Sequence, residues 1–163
     1  MSKKISYTGT LLALNLIILT LSNIVPINNL FFMGIASLLV SIVIMEFGIN
    51  YGIIFSIASI ILSFFIIPSK VRWGLYIFTF AIYGVLKYLI EKNKNPILSI
   101  LLKLIISSFI GLILYFILNK FVLINMNLFN IFIFEIAFFV YDYVYTLFIE
   151  YYNDKIKNML RLK

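Results

Sequence analysis

The stretch LFFMGIASLLVSIVIM (residues 30–45), EFGIN (46–50) and YGIIFSIASIILSFFII (51–67) decides the fold, because Glu46 is its only charged residue. Its apolar runs are continuous, whereas the strands of a lipid-facing barrel would alternate, so they read as helices. Each approaches the roughly 20 residues that cross a bilayer. The short link between them leaves room only for a tight helical hairpin.

The same pattern recurs on both sides. Thr8 to Ile24 precedes it and ends at Val25-Pro26-Ile27-Asn28-Asn29. After Pro68-Ser69-Lys70-Val71-Arg72 come Trp73 to Ile90, Ile97 to Asn119 and Leu128 to Tyr151, with Glu91-Lys92-Asn93-Lys94-Asn95-Pro96 dividing the fourth run from the fifth. All three prolines fall at run boundaries, where a missing N–H costs least. The reading is all-α: a polytopic integral membrane protein, one domain over residues 1–163, a single bundle of six transmembrane helices.

Composition agrees. The chain is 64% hydrophobic and 12% charged with mean hydropathy +1.13, where soluble domains carry roughly a quarter charged residues. It has no Cys and no His. That removes disulfides, thiolate chemistry and cysteine metal sites, and also the usual general base and commonest transition-metal ligand. No cofactor or catalytic motif is present, so the chain reads as a non-enzyme; lipid chemistry would have to use Glu135 and Asp142 as its acid–base pair. The net charge of +7 is scattered in short clusters at run ends, which argues against nucleic acid. Only the tail from Lys155 to Lys163 is locally basic, and such a tail suits anionic lipid headgroups. Met1-Ser2-Lys3-Lys4 opens like a signal peptide, but no small-x-small cleavage site follows, so the first helix reads as retained.

Cation placement sets the orientation. With an internal N-terminus, Lys3, Lys4, Lys87, Lys92, Lys94, Lys103, Lys155, Lys157, Arg161 and Lys163 lie inside, and Lys70, Arg72 and Lys120 outside. Ten against three follows the positive-inside rule, predicting a multi-pass protein of the inner (cytoplasmic) membrane with both termini cytoplasmic. Trp73 and Tyr76 suit the interfacial aromatic belt.

The polar positions of the fifth and sixth runs carry the candidate site. Glu135 and Asp142 are seven apart and share one helix face. At 1.5 Å per residue they sit about 10 and 21 Å below the outer surface, inside a core about 30 Å thick. A carboxylate there costs about 2.5–3.5 kcal/mol or more, so each is expected to be inward-facing, protonated or paired. Lys103, about 9 Å above the inner surface, is the expected partner of Asp142 at about 13 Å. Its face continues through Ser107, Gly111 and Tyr115, and Phe138, Phe139, Tyr141, Tyr143 and Tyr145 crowd around Asp142. The substrate-binding set is Lys103, Tyr115, Glu135, Asp142 and Tyr145; a buried ion pair that fixes packing is the competing reading.

Other polar residues have local explanations. Glu46 and Asn50 are expected to cap helix ends, Lys87 to snorkel outward, and Asn15 to hydrogen-bond a neighbouring helix. Gly34, Ser37 and Ser41, and the pair Gly9 and Ala13, are expected to mark close helix contacts.

The layout resembles the S components, the substrate-binding membrane subunits of energy-coupling factor transporters. The similar parts are an apolar first helix, the hairpin from Phe31 to Ile67 with Gly48-Ile-Asn-Tyr-Gly52 at its turn, and Tyr76 to Glu91 with Phe80-Ala-Ile-Tyr-Gly84. This resemblance implies solute uptake together with a transmembrane coupling subunit and ATPases. The small-residue surface that S components present on helix one is interrupted here, since Gly9 and Ala13 are followed by Ile17. In size and layout the chain also resembles MreD-like rod-shape proteins, which implies a non-catalytic scaffold among envelope-assembly proteins.

Overall fold

The computed structural model describes residues 2–25, 28–92, 95–122 and 128–156. Pro26 and four of the cations used for orientation, Lys94, Lys157, Arg161 and Lys163, lie outside the described residues. Those residues form helices and no strand. Six helical segments among them are long and apolar enough to cross a membrane. The protein is an all-α, multi-pass membrane protein. It divides into two compact units, Met1–Asn125 with five of the spans and Met126–Lys163 with the sixth.

In the first unit, α1 (Ser2–Ile24), α2 (Asn29–Phe47) and α3 (Ile49–Ile66) pack together. Leu39, Val40, Val43 and Ile44 of α2 and Phe55 of α3 form a buried cluster, with Leu11, Leu12 and Ile18 of α1 against it. The α2–α3 turn is a single residue: Gly48 stands at φ 91°, ψ 171°, a region open essentially to glycine alone. Glu46 and Asn50 were expected to cap this turn. At the turn itself Gly48 donates its N–H to the Ile44 carbonyl at 2.9 Å, and as the N-cap of α3 it offers no side chain. Four residues on, a Cβ on Gly52 would overlap Ile44 Cγ1, so the two helices approach as closely as glycine permits.

Ser37 and Ser41 lie on the buried face of α2, bonded to the Gly34 and Leu38 carbonyls of their own helix at 2.5 and 2.6 Å. The Gly9–Ala13 pair departs from expectation. Both residues are exposed, and nothing lies within 4 Å of where a Gly9 Cβ would stand.

The fourth span is composite: α4 (Lys70–Leu75), a π-helical segment (Tyr76–Ala81) and α5 (Tyr83–Glu91). Ser69 caps α4, its hydroxyl accepting from Arg72 N–H at 3.5 Å. In the widened turn Ile82 N–H reaches back five residues to the Ile77 carbonyl at 3.4 Å. The fifth span lies in α6 (Pro96–Val122), whose first residue is a proline at the position where its missing N–H is harmless. Large apolar side chains on α3 and α6, among them Ile57, Ile61, Phe65, Ile105, Phe109 and Phe116, are more than half exposed. Such continuous apolar surface is matched by lipid, not water.

In the second unit, α7 (Leu128–Tyr151) continues into a π-helical segment (Tyr152–Ile156). Phe138, Asp142, Tyr145 and Tyr152 form its buried stripe, while Val140, Tyr143, Val144 and Leu147 are exposed.

Candidate functional site: a buried polar column on the fourth span

Thr79, Tyr83, Lys87 and Glu91 follow one another at four-residue intervals, so they line one helix face. Tyr76 starts this column one turn earlier. Tyr76 and Tyr83 are fully buried, Lys87 is 1% exposed, and the column reaches partial exposure only at Glu91.

At its upper end the column joins a hub of four spans. The Tyr76 hydroxyl lies 2.7 Å from Ser59 Oγ of α3, which lies 2.8 Å from Asn15 Oδ1 of α1. Asn15 Nδ2 donates to the Ala36 carbonyl of α2 at 2.8 Å. Proton inventory gives the chain a direction. Ser59 has one proton and gives it to Asn15 Oδ1, so Tyr76 must donate to Ser59. Asn15, Ala36, Ser59 and Tyr76 are all at 0% exposure, and every bond is therefore shielded from competing water. Asn15 thus bonds a neighbouring helix, as the sequence led one to expect. Tyr76 does not sit in an aromatic belt; its hydroxyl has a partner in the interior and water does not reach it.

One turn further along, the pattern changes. The hydroxyls of Ser56 and Thr79 are buried and have no hydrogen-bond partner among the described residues. Because α3 and the fourth span run antiparallel, Ser56, one turn before Ser59, and Thr79, one turn after Tyr76, lie on the same side of the hub. Hydroxyls left unsatisfied in the interior each cost about 1–3 kcal/mol and call for an explanation. Thr79 lies within the π-helical segment, a distortion that occurs often at functional sites.

At its lower end the column becomes ionic. Lys87 Nζ is 2.8 Å and Lys103 Nζ 2.7 Å from the same oxygen, Glu91 Oε1. Lys87 was expected to snorkel outward. It stays inside because Glu91, one turn on along the same face, supplies a counter-charge within reach. Glu91, which the sequence places in the loop after the fourth run, thus ends α5 and bonds Lys103 as well as Lys87.

Tyr115 is half-buried on α6, three turns beyond Lys103 and edge-on to Phe116 at 5.8 Å. Ser107, between them, is fully buried. On α7, Asp142 is 8% exposed, Tyr145 is fully buried and Glu135 is half-buried. Tyr145 stacks edge-on with Tyr141 at 5.7 Å, and Thr146 Oγ1 donates to the Asp142 carbonyl at 3.0 Å. The structure thus groups Lys103 with Glu91 and Lys87 in the first unit, and Asp142 with Tyr145 on one face of α7 in the second. Among the described residues no cluster of three or more metal-ligating side chains occurs. No family model, curated protein or solved structure matches the chain.

Proposed function

We propose that this chain is a membrane-embedded, solute-binding subunit of a small-molecule uptake system, in the cytoplasmic membrane with both termini inside. The observation that carries this reading is a pair of buried hydroxyls, Ser56 of α3 and Thr79 of the fourth span, that have no hydrogen-bond partner among the described residues and lie on the side of the hub toward the Lys87–Glu91–Lys103 cluster. Packing alone has no use for such hydroxyls. A polar solute that bonds them would remove their cost, and a charged group on it would meet the Lys87–Glu91–Lys103 cluster. Tyr115, Glu135, Asp142 and Tyr145 complete the proposed recognition set on sequence grounds. The resemblance to S components supplies the proposed partners, a transmembrane coupling subunit with ATPases.

The test is thermal unfolding of the purified protein against a panel of polar metabolites. A solute at 100 times its Kd adds about 2.7 kcal/mol of stability. A shift for one chemical class supports the proposal, and no shift for any member at high excess removes it.

A second reading is favoured by the hub itself, which joins four spans through internally satisfied bonds and needs no ligand. It is a non-catalytic scaffold of a cell-envelope assembly. Under it, Lys87, Glu91 and Lys103 serve folding alone, and any variant of the three that folds and reaches the wild-type level in the membrane would keep full cellular activity.

A further inference from the structure

The exposed end of α1 carries a feature that solute binding does not use. Ile5, Gly9 and Leu12 of α1 and Tyr51, Ile54 and Ala58 of α3 line a groove of about 490 Å³ with almost wholly apolar walls. Gly9 keeps it open, since no atom occupies the space beside it, and Ile5 and Ile54 are both more than 60% exposed along it. The Thr8 hydroxyl on this wall is bonded to the Lys4 carbonyl at 2.8 Å.

We propose that the groove binds an acyl chain of an anionic phospholipid whose headgroup is held by Lys4. Lys4 Nζ stands 6.0 Å from the centre of the Tyr51 ring, which puts a cation at the groove's mouth. Lys3 adds a second cation on the adjoining face of α1, beside Ser6, Tyr7 and Thr10. The carboxylate at this end of the three helices is Glu46, in the last turn of α2. An apolar slot ending at ammonium groups is complementary to an anionic lipid, with its chain below and its phosphate above. The slot covers only about two turns of each helix, roughly 10 Å, and sits at the cationic end. A partner helix would need a face running through the whole span, about 30 Å.

Native mass spectrometry of the full-length protein with equal phosphatidylglycerol and phosphatidylcholine tests this directly. A lysine near the membrane surface contributes about fivefold in affinity for an anionic lipid. The wild type should therefore retain phosphatidylglycerol at least about fivefold over phosphatidylcholine, and Lys4→Gln should cut that preference about fivefold. Gly9→Phe should reduce adducts of both lipids by filling the slot. Equal retention by the wild type, an unchanged preference in Lys4→Gln, or undiminished adducts in Gly9→Phe would each overturn the proposal. So would a photo-crosslinker at Ile54 that captures a protein neighbour in intact membranes instead of lipid. If Gly9→Phe does not fold, Lys4→Gln still decides, because Lys4 is exposed.

Discussion

The Ser59 hydroxyl of the third span and the Tyr76 hydroxyl of the fourth are 2.7 Å apart, and the same Ser59 oxygen lies 2.8 Å from Asn15 Oδ1. It is the middle link of a one-way donor chain, which makes the effects of its removal unequal to those of its neighbours. Tyr76→Phe deletes only the terminal donor and should cost about 0.6 kcal/mol, the average for such bonds in membranes. Ser59→Ala removes a bond to the Tyr76 hydroxyl and a bond to Asn15 Oδ1 together and should cost more, about 1–3 kcal/mol. The double variant should be less destabilised than the sum of the two, as bonded groups are not additive. Reversible unfolding in detergent measures all three; equal single effects would contradict the direction of the chain.

Two glycines should respond oppositely to the same change. Gly52→Ala drives a methyl into Ile44 and should destabilise by about 1–3 kcal/mol. Gly9→Ala adds a methyl to open space and should stay within about 0.5 kcal/mol of wild type. Melting temperatures of the purified variants decide it, and a loss at Gly9 would place a neighbour there.

Glu91 should be the most sensitive member of the ionic cluster. Glu91→Gln takes the shared carboxylate from two ammoniums at once, whereas Lys103→Met leaves the Lys87–Glu91 pair. Breaking a buried pair costs about 3–5 kcal/mol; Glu91 is 36% exposed, so a loss below that range is expected. Folded yield and melting temperature should fall further for Glu91→Gln than for Lys103→Met. The reverse order would remove Glu91 as the anchor.

Ser56 and Thr79 separate solute recognition from architecture. Replacing a buried hydroxyl that bonds nothing should be neutral or stabilising in the free protein, so Ser56→Ala and Thr79→Val should melt at or above the wild-type temperature. Under the proposed function the same changes should diminish solute-induced stabilisation. A protein destabilised by both changes, with solute response intact, would show the hydroxyls to be structural.

The spans were legible because about 20 apolar residues in sequence have one use, and Glu46 alone interrupts the deciding stretch. Asn15 was legible too, since an amide on an apolar helix must find a partner on another. Lys87 and Tyr76 were misread for a common reason. Each is amphipathic and sits near a span end, where snorkelling or belt anchoring needs no other residue, so the local explanation was preferred. The correcting signal was the four-residue spacing of Thr79, Tyr83, Lys87 and Glu91, which puts a counter-charge one turn beyond the lysine. Gly9 and Ala13 have the spacing of a helix contact, but spacing does not say which face a neighbour covers. The π-helical turn had no local signal, since Tyr76–Ala81 contains neither proline nor glycine.

The most direct measurement is mass spectrometry of small molecules that co-purify with the protein from native membranes. The account predicts one polar solute at near-stoichiometric amount with the wild type and its loss from Lys103→Met. A wild type that carries no such molecule, or a Lys103→Met protein that carries it undiminished, would contradict the account.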